Sequence, residues 1–128
     1  MAHILVIEDD EQVRTLVRRA LEFAGYTVSE AADGRTGVES YRRAPADAVV
    51  TDILMPELDG VEVITALKRL DGDARILAIS GGGTLTGTGY LLGARLFGAF
   101  ATLAKPFTIT QLEVAVRGIL ERAAPAPV

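Results

Sequence analysis

A chain of 128 residues has room for one domain and a core that needs no covalent staples. It contains no cysteine, which excludes disulfide frameworks and thiolate metal sites, and its single histidine excludes a His-rich zinc site. A net charge of −4 argues against a binder of nucleic-acid backbone, and 23% charged residues within a 49% hydrophobic chain argue against disorder. No apolar run reaches the roughly 18 residues of a membrane span, and the amino end lacks the regions of a signal peptide, so a cytoplasmic, membrane-free protein is expected.

Ile4-Leu5-Val6-Ile7 is a continuous apolar run and reads as a buried strand. It stops at Glu8-Asp9-Asp10-Glu11, where Asp9 or Asp10 can cap the helix that follows. That helix has one apolar stripe, Val13, Leu16, Val17, Ala20, Leu21 and Ala24, and Gly25 supplies the left-handed residue at its end. Thr27–Ala31 is a weaker, alternating strand suited to a sheet edge. Asp33 is placed to cap a helix through Arg43, with Val38 and Tyr41 facing in, and Pro45 punctuates before the next strand. Ala48-Val49-Val50-Thr51-Asp52 is apolar up to the carboxylate near its tip, as expected for a central strand buried on both faces.

After Pro56 a helix carries Val61, Ile64, Leu67 and, at its end, Leu70 inward, and stops at Asp71-Gly72-Asp73. Ile76–Ile79 is the third apolar strand, closed by Ser80 and then by Gly81-Gly82-Gly83. A glycine-interrupted helical segment is expected over about 84–96, then a mixed strand over Phe100–Ala104 that runs into Lys105-Pro106-Phe107. Thr108-Ile109-Thr110-Gln111 fits a capping box for the last helix, whose stripe is Ile109, Leu112, Val116, Ile119 and Leu120.

Five strands alternating with five helices predict an α/β protein with a parallel sheet and right-handed crossovers. Strands one, three and four are apolar throughout and strands two and five are mixed, which matches the order 2-1-3-4-5 of flavodoxin-like, doubly wound folds. In that order the carboxyl ends of four neighbouring strands carry Glu8-Asp9, Asp52, Ser80 and Lys105. Three carboxylates brought together repel, and a hard divalent cation with oxygen ligands relieves the repulsion. Lys105 offers a mobile positive charge, Ser80 a hydroxyl donor, and an aspartate between a metal and a lysine is a credible phosphoryl acceptor. Each residue alone has a bland reading as a cap, a loop start, a turn residue or a solvated charge. Their co-location on four adjacent strands raises the set above those readings.

These residues, with Leu54-Met55-Pro56 and Asp59-Gly60 downstream of Asp52, resemble the receiver domain of bacterial two-component response regulators over about the whole chain. The resemblance implies that Asp52 accepts a phosphoryl group from a phosphohistidine on a sensor histidine kinase or histidine phosphotransfer protein. It implies Mg²⁺ (or Mn²⁺) bound by Asp9, by Glu8 through water, by Asp52 and by the Leu54 backbone carbonyl, with Ser80 and Lys105 on the phosphoryl oxygens. A cis bond before Pro106 belongs to the same pattern. The expected protein is no enzyme beyond its own phosphoryl transfer and slow dephosphorylation, and it acts on an unknown downstream protein rather than on DNA.

The expected organisation is a receiver over 1–122 and a short Ala/Pro tail over 123–128, of the stand-alone type. Its output face is formed by the fourth helix, fifth strand and fifth helix. The alternative is a receiver-fold protein-binding module that works without phosphorylation, against which the complete site set argues. The acidic loop after strand one argues against a flavin or nucleotide site, which wants a glycine- or hydroxyl-rich loop there. One departure concerns the switch. Many receivers carry an aromatic residue three positions before the lysine, and here that position is Thr102. Phe100, on the same face by the two-residue period, is expected to substitute in part, with backbone reordering from Gly81 and Gly82 onward carrying the larger response.

Overall fold

The computed structural model describes residues 2–53, 60–80 and 99–121, with the backbone alone for 60, 61 and 80. In chain order these form β1 (His3–Ile7), α1 (Glu11–Phe23), β2 (Thr27–Ala31), α2 (Gly34–Arg43), β3 (Ala48–Asp52), α3 (Gly60–Leu70), β4 (Ile76–Ser80), β5 (Ala101–Ala104) and α4 (Ile109–Glu121). The five strands make one parallel sheet in the order β2-β1-β3-β4-β5. The contrast between apolar and mixed strands has its physical meaning here. β3 is buried at every residue, whereas β2 exposes Thr27 and Glu30 and β5 is only partly covered.

Alternation along the strands divides the core in two. Ile4, Val6, Ala48 and Val50 pack against Val17 and Leu21 of α1 and Leu112, Val116 and Ile119 of α4. Leu5, Ile7 and Val49 pack on the other face, against Tyr41 of α2 and Val63, Ile64 and Leu67 of α3. Each such aliphatic side chain contributes about 1.5–3 kcal/mol by leaving water, so strands that can be covered on both faces occupy the middle. The Tyr41 hydroxyl, buried with its ring, donates to Asp71 Oδ2 at 2.7 Å and so ties α2 to the loop after α3.

The helix ends follow their local chemistry. Asp10 caps α1, its Oδ1 accepting from the N–H groups of Gln12 (2.9 Å) and Val13 (3.1 Å). Asp33 caps α2 by accepting from Thr36 N–H at 2.7 Å. The capping box of α4 is reciprocal: Thr108 N–H donates to Gln111 Oε1 at 2.8 Å and Gln111 N–H to Thr108 Oγ1 at 3.0 Å. Gly25 ends α1 with φ of +104°, the left-handed region in which a side chain is strained.

Several apolar positions differ from the periodic expectation. Leu16 is 56% exposed, Ile109 55% and Leu70 44%. At 3.6 residues per turn Leu16 lies roughly 100° off the centre of the Val13–Val17–Leu21 stripe, beyond the contact with the sheet. Ile109 opens α4 and Leu70 closes α3, so both sit at helix ends. The strand expected from Phe100 starts one residue later. Four helices lie among the described residues; the segment expected over about 84–96 and the tail over 123–128 lie outside them. No described helix is long and apolar enough to cross a membrane.

Candidate functional site: an acidic cluster with a bridging lysine

The register brings the polar groups together. Ile7 pairs with Thr51, so the next residues, Glu8 and Asp52, stand side by side at one sheet edge. Ser80 pairs with Ala104, so Lys105 extends from the same edge two strands away. Parity sets the face. Glu8 continues the series Ile4 and Val6, Asp52 continues Ala48 and Val50, and Lys105 continues Ala101 and Leu103, all of which pack on the α1/α4 side.

Lys105 bridges the cluster, its Nζ donating to Asp52 Oδ2 at 2.9 Å and to Glu8 Oε1 at 3.2 Å. Glu8 and Asp52 are among the few buried polar side chains, at 4% and 5% exposure. Asp9 is exposed beside them, and one carboxylate oxygen from each of Glu8, Asp9 and Asp52 lies within 4.8 Å of the others. An all-oxygen, negatively charged donor set of this kind fits a hard divalent cation and not a soft metal.

Charge is crowded here. Burial pushes the Glu8 carboxyl up to about 7, with the Asp52 charge adding to the rise and the Asp10 N–H and the Lys105 ammonium opposing it. For Lys105 burial works downward, yet its bonds and charge interactions with Asp52 and Glu8 outweigh that, and its pKa lies above the ordinary lysine value. The ammonium is therefore a fixed positive charge at neutral pH.

The segment carrying the acids is held from several sides. Glu8 N–H donates to Ala31 O at 3.0 Å, Asp10 N–H to Glu8 Oε2 at 3.2 Å, and Arg14 Nη1 to the Glu8 carbonyl at 2.9 Å. Arg14 also faces Glu30 of β2, Nε to Oε1 at 3.4 Å. Sequence reasoning misses Arg14 and Glu30. The available signal is Arg14's place on the flank of α1 next to an edge strand, which by itself reads as a solvated charge.

Of the residues singled out in the sequence, Glu8, Asp9, Asp52 and Lys105 are brought together. Ser80 ends β4 at the same edge, its side chain outside the description. The Leu54 carbonyl, Gly81 and Gly82 lie outside the described residues. The Lys105–Pro106 bond is cis, and Thr102 is half-buried in β5 opposite Ala78. Phe100 corrects an expectation. It does not share a face with Thr102 but packs in the α1/α4-side cluster with Leu77 and Ile79, as Ala101 and Leu103 do. It precedes β5, so the two-residue period does not reach it, and its ring lies under the Arg75 guanidinium, 5.6 Å from centroid to Cζ.

A doubly wound parallel sheet with an acidic cluster and a lysine at its carboxyl edge defines a class of small signalling modules. The model of the response regulator receiver domain family matches residues 4–117, and the chain belongs to that family. Response regulator MprA of Mycolicibacterium vanbaalenii is 38% identical over 122 residues, which are 95% of this chain and 52% of that protein. Transcriptional regulatory protein PrrA of Mycobacterium tuberculosis is 36% identical over 119 residues, 93% of this chain and 50% of that one. The chain thus spans about half the length of the curated relatives it matches.

Among solved structures, a response regulator receiver domain protein from Clostridium thermocellum superposes with a TM-score of 0.87 at 28% identity, covering 95% of this chain and 96% of that one. Chemotaxis protein CheY4 of Vibrio cholerae gives 0.83 at 28% identity, covering 93% and 98%.

Proposed function

We propose that this receiver domain is phosphorylated on Asp52 by a phosphohistidine of a sensor kinase or histidine phosphotransfer protein, with Mg²⁺ held by Glu8, Asp9 and Asp52. The observation that carries this reading is Lys105 Nζ at hydrogen-bond distance from both Asp52 and Glu8, beside three carboxylates close enough to share one cation. An Asp52 oxygen attacks phosphorus and the P–N bond breaks. Its electron pair stays on the imidazole nitrogen, which takes up a proton, and an acyl phosphate forms on Asp52. When bound, Mg²⁺ supplies neutralisation of the charge on the transferring oxygens.

Before transfer the Lys105 ammonium holds the Asp52 carboxylate in place. Once one Asp52 oxygen carries phosphorus, the same flexible point charge turns to the phosphoryl oxygens. The Leu54 carbonyl as a further ligand and the Ser80 hydroxyl as a phosphoryl donor follow from the family resemblance. The receiver spans 1–122 and works in the cytoplasm on a downstream protein. Phe100 is held under Arg75 and Thr102 stands where an aromatic switch is common, which supports a response through the backbone after β4.

Incubation with acetyl phosphate and Mg²⁺, followed by intact mass, tests this reading. A gain of one phosphoryl group is expected, lost in Asp52→Asn and in EDTA. No gain under any of these conditions would instead favour a protein-binding module that works without phosphorylation.

A further inference from the structure

We propose that Arg14 is a positioning residue for the metal-binding acids, orienting the Glu8–Asp9 peptide so that both carboxylates are aimed into one site; this rests on the Mg²⁺ reading above. Arg14 Nη1 donates to the Glu8 carbonyl at 2.9 Å, and the Arg14 side chain is only 18% exposed. That carbonyl belongs to the peptide plane joining the two acids. Without that bond ψ of Glu8 and φ of Asp9 would vary more widely, and the Asp9 Cα would be less firmly placed relative to the Glu8 carboxylate. The other side of Glu8 is already tied, its N–H bonded to Ala31 O at 3.0 Å. Beyond Asp9, the Asp10 carbonyl accepts from Arg14 N–H at 2.8 Å while its carboxylate caps α1. Asp9 therefore hangs between two anchored residues, and the anchor on the Glu8 carbonyl comes from a side chain.

The chemistry requires arginine. Its rigid fork of donors reaches the Glu8 carbonyl with one nitrogen and Glu30 with another, 3.4 Å away. Glu30 lies between two guanidinium groups, its other oxygen 3.2 Å from Arg18 Nε, and so shares its charge between Arg14 and Arg18. A lysine would have to serve both partners from a single nitrogen, without the fixed spacing between donors that the fork provides. Groups behind the ligands commonly tune metal affinity by 10- to 100-fold, about the effect expected here.

The test is calorimetric titration of the full chain with MgCl₂ at pH 8 for wild type, Arg14→Gln and Arg14→Lys. Arg14→Gln is expected to weaken Mg²⁺ binding about tenfold, and Arg14→Lys by an intermediate factor. The urea midpoint of the metal-free protein should change little in either. A midpoint that falls while the dissociation constant stays within twofold of wild type means Arg14 only braces the helix, and overturns the proposal. Should Arg14→Gln not fold, Arg14→Lys decides on the same criterion.

A wild type that binds no Mg²⁺ is a failure of the metal reading, distinguishable by amide exchange in the metal-free protein. There Arg14→Gln should speed exchange at Asp9 and Asp10 while β1 stays protected. Unchanged exchange at those two amides overturns the orientation claim by itself.

Discussion

At the scale of residues, the burial of two carboxylates side by side has a cost that pH reveals. Glu8 has its pKa near 7 in the folded protein against an ordinary value of 4.5. Between those values the folded state binds more protons than the unfolded chain, so stability falls as pH rises and levels off above about 7. The metal-free protein should lose on the order of 3 kcal/mol across that window, measured by urea unfolding at a series of pH values. Glu8→Gln should flatten the slope, because a neutral amide keeps much of the shape without the proton. A metal-free wild type whose stability rises steadily from pH 5 to pH 8 would contradict this account of Glu8. The acids and Lys105 are legible in the sequence because strand tips announce themselves by an abrupt change from apolar to charged. Arg14 is not, since a long side chain on a helix flank can reach solvent, an ion pair or a carbonyl without any change in sequence pattern.

At the scale of elements, local chemistry decides where helices start. The Thr108–Gln111 box satisfies two amides at the start of α4, immediately after the segment that carries Lys105. Thr108→Ala should lower stability by about 1 kcal/mol, read as a shift in urea midpoint with an unchanged slope. A shift within error of zero would mean that water caps this end equally well. Caps at Asp10, Asp33 and Thr108, and the turn at Gly25, can be read from sequence because each depends on a few neighbouring residues. Leu16 and Phe100 cannot. Both sit where a period stops applying, Leu16 at the margin of a helical stripe and Phe100 one residue before its strand begins, and only the packing around them decides which way they face.

At the scale of the whole molecule, the apolar or mixed character of each strand carries the sheet order, because central strands must be covered twice and edge strands once. That order, with the register and the two-residue alternation, sets Glu8 beside Asp52 and puts Lys105 on the same face, although they lie far apart in the chain. The two-layer core of α1 and α4 on one side and α2 and α3 on the other then holds the edge rigid enough for a lysine to bridge two strands. The response leaving the site is less legible. It is proposed to run through Thr102 and the backbone after β4, and residue type alone does not say how either would repack in a second state.

The central claim is that Asp52 is the group that takes the phosphoryl. The most direct measurement treats the protein with phosphoramidate and Mg²⁺, reduces any acyl phosphate with borohydride, and maps the product by peptide mass spectrometry. Conversion of Asp52 to homoserine, abolished by EDTA and greatly reduced in Lys105→Ala, is the predicted result. An unmodified chain, or homoserine at Asp9 or Asp10 with Asp52 intact, would contradict it.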